Sequence, residues 1–250
     1  MPVHDFTSQR LYLDAPLSAG ADIACDHDKS HYLLHVLRLQ NGDSILVFNG
    51  LDGEWRAEVA AAGKRSCRLV VVGQTRAQEN GPDIDWLFAP LKRARLDYMV
   101  QKAVEMGVAR LSPVETRHTI ADRVNLDRMR ANAIEAAEQC GILRLPAVDP
   151  LRPLDKVLDA WPAGRPLVFC DEAAPIADPI AALSRVPPGP VSVLIGPEGG
   201  FAREERDRIR ALPSAIALSL GPRIMRADTA AIAALTLVNA VLGDWRPGAV

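Results

Sequence analysis

Late in the chain stand two short runs, 191–195 (VSVLI) and 215–220 (AIALSL), in which apolar side chains follow one another with only a serine in each. A strand with one wet face alternates apolar and polar residues, so such runs belong to strands buried on both faces, as in a parallel sheet flanked by helices. The preceding pattern agrees. From residue 83 strand-like and helix-like segments take turns: 83–91, then a helix over 94–107 closed by Gly107, a strand over 109–116, and a helix over 125–141 closed by Gly141. After a proline-rich connection come 166–172, 176–186, the first apolar run, a helix over 203–212, the second run and a final alanine-rich helix over 230–243. Alternation of this kind predicts an α/β domain whose two apolar runs are central strands.

Residues 1–73 read differently. Short strands at 10–14, 44–50, 54–62 and 65–73 are separated by the turn clusters 40–43, 49–53 and 61–65, the spacing of a small β-barrel. One helical stretch interrupts them at 31–39, with Leu34, Val36 and Leu37 as its apolar stripe and His31 and His35 one turn apart; no third ligand stands near, so no metal site is expected. The polar segment 74–82 reads as a linker. The expected organisation is therefore a domain over 1–73, a linker over 74–82 and a domain over 83–250.

Composition narrows the class. With 48% apolar and 24% charged residues among 250, the chain can bury a core. No apolar stretch approaches the roughly 18 residues of a bilayer span, and the first ten residues lack the basic-then-apolar build of a signal peptide, so the protein reads as cytoplasmic. Cys25, Cys67, Cys140 and Cys170 are scattered, as free thiols in a reducing compartment are. The 29 Lys and Arg against 31 Asp and Glu give a net charge of −2, which by itself points to no nucleic-acid partner. A basic surface would have to come from local clusters such as Lys92, Arg93 and Arg95, or Arg123, Arg128 and Arg130, each of which can equally be ordinary solvated charge.

In open α/β sheets ligands bind at the carboxyl ends of the strands, which draws attention to the loops after the two apolar runs. The first is Gly196-Pro197-Glu198-Gly199-Gly200-Phe201, and the second runs Leu220-Gly221-Pro222-Arg223-Ile224-Met225-Arg226-Ala227-Asp228-Thr229-Ala230. Glycines let backbone groups approach a ligand, and the prolines stiffen the turns. GPEGG alone fits tight packing or an anion site as well as a cofactor loop, and it is neither a dinucleotide fingerprint nor a phosphate loop.

Together the two loops strongly resemble the signature of the SPOUT methyltransferases, in particular the bacterial 16S ribosomal RNA (uracil-N-3)-methyltransferases, with their LIGPEGG and LGPRILR-[AT]-E-T-A motifs. The segments RLYLD, HYLLHVLRL, FNG, LFAPLKRARLDYMVQKAVEMGV and EAAEQCG stand in that family's order, so the resemblance covers nearly the whole chain. It implies a PUA-like β-barrel for RNA, then a SPOUT α/β domain with a C-terminal trefoil knot. It further implies a homodimer with the last helix at its interface, although that helix would equally suit burial within one subunit.

The resemblance also implies S-adenosylmethionine as methyl donor and 16S ribosomal RNA of the small subunit as substrate. The donor would be held by Leu194, Ile195, Gly196, Pro197, Glu198, Gly199 and Gly200, then by Leu218, Leu220, Gly221, Pro222, Ile224 and Met225, with Thr229 and Ala230. Glu198 could instead brace its loop. Arg226 is the candidate for orienting the uracil or stabilising charge as its N-3 proton departs, and Asp228 for the base or the partner of Arg226. Two departures stand out: Asp228 where relatives carry Glu, which could simply cap the last helix, and Ile142 after Gly141 where they often carry Arg, a place Arg144 could fill. Arg10, His31, Arg38, Lys92, Arg93 and Arg95 are the candidate RNA contacts. A related enzyme acting on a ribose hydroxyl or another base, and a non-catalytic RNA-binding factor, are the competing readings.

Overall fold

The computed structural model describes residues 5, 7–63, 66–121, 123–175 and 178–246; residues 64 and 65 of the expected turn and 176 and 177 of the segment 176–186 lie outside that set. The chain forms two compact units, one of residues 1–80 with 137–145 and one of 81–136 with 146–250.

The first unit contains β1 (Arg10–Tyr12), β2 (Asp22–Ala24), α1 (His27–His31), a π-helical turn (Tyr32–Val36), β3 (Ser44–Phe48), β4 (Glu54–Ala62) and β5 (Cys67–Arg76). The strands form one mixed sheet in the order β1-β3-β4-β5-β2, with β1 parallel to β3 and the other pairs antiparallel. β2 is an addition to the four expected strands. β5 runs through Arg76 and so takes up the first residues expected as linker. Three register shifts between β4 and β5 increase the local twist that a small barrel needs. The turn between β3 and β4 requires Gly53, whose φ is +84° and whose missing Cβ would stand 2.3 Å from the Arg76 carbonyl oxygen.

Alternate strand residues Ile45, Val47, Val59, Leu69 and Val71 meet Leu11, Leu13 and Leu33 in the core. Leu34 and Leu37 of the expected apolar stripe pack against this core, partly buried, and Val36 departs from it. The N–H of Leu37 donates to the Tyr32 carbonyl at 2.9 Å, a π-type spacing that turns Leu33 fully inward and leaves Val36 57% exposed. Glu54 is buried against Arg10, whose Nε lies 2.8 Å away, and Arg76 at 3.6 Å. Residues 137–145 partner polar groups of this unit: the Gly141 carbonyl accepts from Arg76 at 2.8 Å and Glu138 accepts the Tyr12 N–H at 2.8 Å.

The second unit contains β6 (Ile84–Phe88), α2 (Ala94–Glu105), β7 (Arg110–Glu115), α3 (Leu126–Cys140, whose last residues group with the first unit), β8 (Ala147–Val148), β9 (Arg152–Pro153) and α4 (Leu154–Asp159). Then follow β10 (Leu167–Cys170), α5 (Pro179–Leu183), β11 (Val191–Ile195), α6 (Arg203–Arg210), β12 (Ala215–Leu218) and α7 (Ala227–Val241). The strands run parallel in the order β12-β10-β11-β6-β7-β8, with β9 beside β7. α4, β8 and β9 occupy what reads in the sequence as a connection; their brevity leaves no periodicity to detect.

β11 is buried at every residue, as its composition requires. β12 is not central: it pairs with β10 alone and its first three residues are partly or fully exposed. The run is apolar because α5 and α6 contact it, not because strands flank both edges. Leu87, Leu154, Phe169, Leu194 and Phe201 form one core of this unit, while α7 packs its Ala231, Ala234, Leu235 and Val238 toward α2, α5 and β11. No helix among the described residues is long and apolar enough to cross a membrane.

Candidate active site

Because β10, β11 and β12 are parallel neighbours, the loops at their carboxyl ends converge. Residues from all three close one cleft: Cys170, Asp171 and Glu172 after β10, residues from Ile195 to Phe201 after β11, and residues from Leu218 to Met225 after β12, with Arg206, Ala227 and Ala230. Of the residues expected to hold the donor, Ile195, Gly196, Pro197, Glu198, Gly200, Leu218, Leu220, Gly221, Pro222, Ile224, Met225 and Ala230 line it. Leu194 instead belongs to the core, and Gly199 lies against His118. Thr229 sits in the first turn of α7, its N–H given to Asp228.

The glycines of the first loop answer to specific neighbours. A Cβ on Gly196 would stand 2.6 Å from the Phe201 ring, so the loop can fold over that ring only without one. Gly200, at φ +69°, would meet the Glu172 carboxylate at 2.6 Å. In the second loop, the backbone N–H groups of Ile224 and Met225 make no hydrogen bond among the described residues, and Ile224 is 93% exposed. A cleft with free backbone donors, few bulky side chains and apolar Ile195 and Leu218 suits a flat heteroaromatic ring whose edge needs hydrogen bonds.

Charge is held beneath these loops. Asp171 is buried, accepts the Ala173 N–H at 3.0 Å and is paired with Arg206 at 3.2 Å and with Arg210. Burial pushes the Cys170 thiol up to about 12, so it remains protonated at neutral pH and offers no nucleophile. Asp171, Glu172 and Arg206 were not singled out from the sequence. Their signal was their place directly after, or facing, the carboxyl end of a buried strand.

Arg226 is the N-cap residue of α7, exposed, and its side chain makes no hydrogen bond or ion pair among the described residues. It stands between Met225 and Ala227, both of which line the cleft. Asp228 is not the N-cap; it lies within the first turn and accepts the Thr229 N–H at 2.8 Å, which satisfies one of the turn's spare donors. It forms no pair with Arg226.

Arg10, expected as an RNA contact, requires correction. Its residue is 5% exposed, and its guanidinium is committed to Glu54 and to the carbonyls of Asp5 and Ser8. A cation already satisfied inside the fold has no donors to present to a phosphate. Gly141 lies against it, 3.3 Å from a would-be Cβ to the guanidinium carbon, which gives the Cys140-Gly141-Ile142 segment a structural task. His31 and Arg38 in the first unit are exposed, as are Lys92 and Arg93 in the second. Arg38 and Arg93 adopt φ of +58° and +34°, strained values for residues with a Cβ. Arg95 pairs with Glu198, so a candidate RNA contact and a candidate donor contact occupy each other. Arg128 is bound to Asp97 and Arg130 to Asp127.

A model of the "RNA methyltransferase domain" family matches residues 78–239, and one of the "RNA methyltransferase PUA domain" matches 25–72. Among curated proteins, the chain is similar to the Ribosomal RNA small subunit methyltransferase E of Rickettsia conorii, 28% identical over 92% of this chain and 94% of that one. The protein of the same name from Mycobacterium bovis is 27% identical over 94% and 92%. Among solved structures, the Neisseria gonorrhoeae Ribosomal RNA small subunit methyltransferase E bound to S-adenosyl methionine superposes with a TM-score of 0.83, at 26% identity over 96% of this chain and all of that one. A Legionella pneumophila putative methyltransferase in complex with the same cofactor gives 0.82, at 25% identity over 95% and 99%.

Proposed function

This chain belongs to the RNA methyltransferase family, and from that premise we propose that it methylates N-3 of a uridine in the 16S ribosomal RNA of the small subunit, with S-adenosylmethionine as donor. The observation that carries the proposal is the single cleft in which the GPEGG and GPRIMRADTA loops meet. Support comes from relatives of like length that bear a small-subunit methyltransferase name and from a neighbour whose structure holds the donor.

The cleft suits that donor. Ile224 and Met225 offer unused backbone N–H groups to the edge of an adenine, and the loop glycines leave room beside Phe201. The donor supplies a methyl group already activated by its sulfonium charge. What remains for the protein is to orient the uracil and to assist loss of its N-3 proton, because the protonated imide is a poor nucleophile. Arg226, unpaired at the mouth of α7, is the group for orientation and for the negative charge that develops; a guanidinium stays charged and offers fixed donors. Asp228, engaged with its own helix turn, is assigned to bracing α7 rather than to proton transfer.

His31, Arg38, Lys92 and Arg93 are assigned to phosphates, where exposed cations position an RNA without reading its sequence. The trefoil knot, the homodimer through α7 and a cytoplasmic site of action complete the reading; the order β12-β10-β11, which carries the chain past one strand to reach the edge, supports the first. The decisive experiment incubates the protein with labelled donor and small subunits that lack the modification, then digests the 16S RNA for mass spectrometry. One new 3-methyluridine is the expected product, whereas a methylated ribose or another methylated base would replace the proposed acceptor.

A further inference from the structure

His118, in the loop after β7, lies beside the GPEGG turn and has no assigned task. Its Nδ1 is 3.1 Å from the Gly199 carbonyl oxygen and 3.0 Å from that of Gly200. Carbonyl oxygens only accept, so Nδ1 is the nitrogen that carries hydrogen. A neutral imidazole so fixed holds its lone pair on Nε2, and among the described residues nothing is hydrogen-bonded to that atom. The approach depends on the loop's composition, since a Cβ on Gly199 would stand 3.2 Å from that of His118.

The ring borders a second cleft, lined also by Pro90, Lys92, Arg95, Ile120 and Glu198, which shares Pro197 and Glu198 with the cleft already described. Ile120, 64% exposed, gives this second cleft an apolar ledge. A uracil presents an acceptor, a donor and an acceptor along one edge: O-2, N-3–H and O-4. The cleft offers the complement, with the bare Nε2 of His118 as acceptor, the Arg95 guanidinium nitrogens that Glu198 does not take as donors, and Ile120 for the face of the ring.

We infer that this cleft receives the target uracil and that Nε2 of His118 accepts its N-3 proton. The inference rests on the uridine reading above. The N-3–H bond breaks toward Nε2; the electron pair left on N-3 forms the bond to the methyl carbon; the pair of the carbon–sulfur bond returns to sulfur. The positive charge of the sulfonium ends on the imidazolium, which then releases its proton to solvent. A cytosine, whose N-3 bears a lone pair and no hydrogen, would face Nε2 with like against like and is rejected.

Two measurements test this. In the wild-type protein, ¹⁵N NMR of the histidine rings should find the His118 hydrogen on Nδ1, and oligouridylate but not oligocytidylate should shift Nε2. A hydrogen on Nε2, or equal response to both, overturns the assignment. Separately, His118→Ala should lower turnover about 10²–10⁴-fold at neutral pH, the usual worth of a placed base. Its donor affinity by calorimetry, read alongside, separates loss of the base from loosening of the glycine loop that the ring holds. Its rate should recover in alkaline buffer, where the imide loses its proton unaided. The charged groups around the ring, Lys92 before α2 and Arg95 in its first turn, Glu198, Arg117 and Glu205 of α6, are common to variant and wild type, so the difference profile reports on His118. A deficit equal at every pH makes His118 a mere pin for the glycine loop and sinks the proposal. Wild-type protein that forms no 3-methyluridine defeats the functional reading, and this inference with it; an active wild type beside a fully active variant defeats the inference alone.

Discussion

Arg226 and Arg10 differ in what surrounds them, and the difference decides what each can do. Arg226 caps a helix with its guanidinium unengaged, whereas Arg10 is enclosed with Glu54. Arg226→Ala should therefore lower turnover by about 10²–10³, the loss seen when one transition-state donor is removed, while donor binding measured by calorimetry stays within a factor of a few. Unchanged turnover would take Arg226 out of the chemistry. Arg10 was misassigned because a basic residue at the start of a strand looks the same in sequence whether it faces water or a carboxylate 44 positions away. His118 escaped notice for a related reason: the glycine carbonyls that fix its ring are brought to it only by the fold.

At the level of single elements, the GPEGG turn and the π-helical turn were legible to different degrees. The turn was readable as a stiff loop after a buried strand, while the core place of Leu194 and the pairing of Glu198 with Arg95 were not. Its tolerance is correspondingly narrow. Gly196→Ala would drive a methyl group into the Phe201 ring, so overpacking of about 1–3 kcal/mol should appear in urea unfolding, together with weakened donor binding. Stability and affinity both unchanged would mean that the loop relaxes freely.

The π-helical turn was readable as helical and in its inward Leu34 and Leu37, but not in Val36 and Leu33. An α-helix would have placed Val36 on the apolar face, and the wider hydrogen bonding of a π turn placed Leu33 there instead. Leu33→Ala should cost about 2–5 kcal/mol as a buried deletion, against less than about 0.5 for Val36→Ala. Equal losses would contradict the observed phase. β12 was likewise read as a strand but not as an edge, since cover by helices and cover by strands leave the same apolar signature.

For the whole molecule, the alternation of strand and helix gave the α/β class directly, while the strand order had to come from pairing between distant residues that no local pattern records. The net charge of −2 sets an expectation for RNA binding. With Arg38, Lys92 and Arg93 as the Lys and Arg contacts to phosphate, the logarithm of affinity should fall against the logarithm of salt with a slope of about −2, and Lys92→Ala should reduce that slope by about 0.7. A much steeper dependence would reveal a basic surface beyond the residues assigned here.

The grouping of residues 137–145 with the first unit bears on how this protein could have been assembled and how it can be cut. A module spliced onto a neighbour is severed by one break in the chain; here a break at residue 80 yields a fragment missing part of itself. Such a fragment would strand the Tyr12 N–H without Glu138 and Arg76 without the Gly141 carbonyl. The smaller unit is therefore built from two separate stretches of sequence, and a single cut at residue 80 parts them.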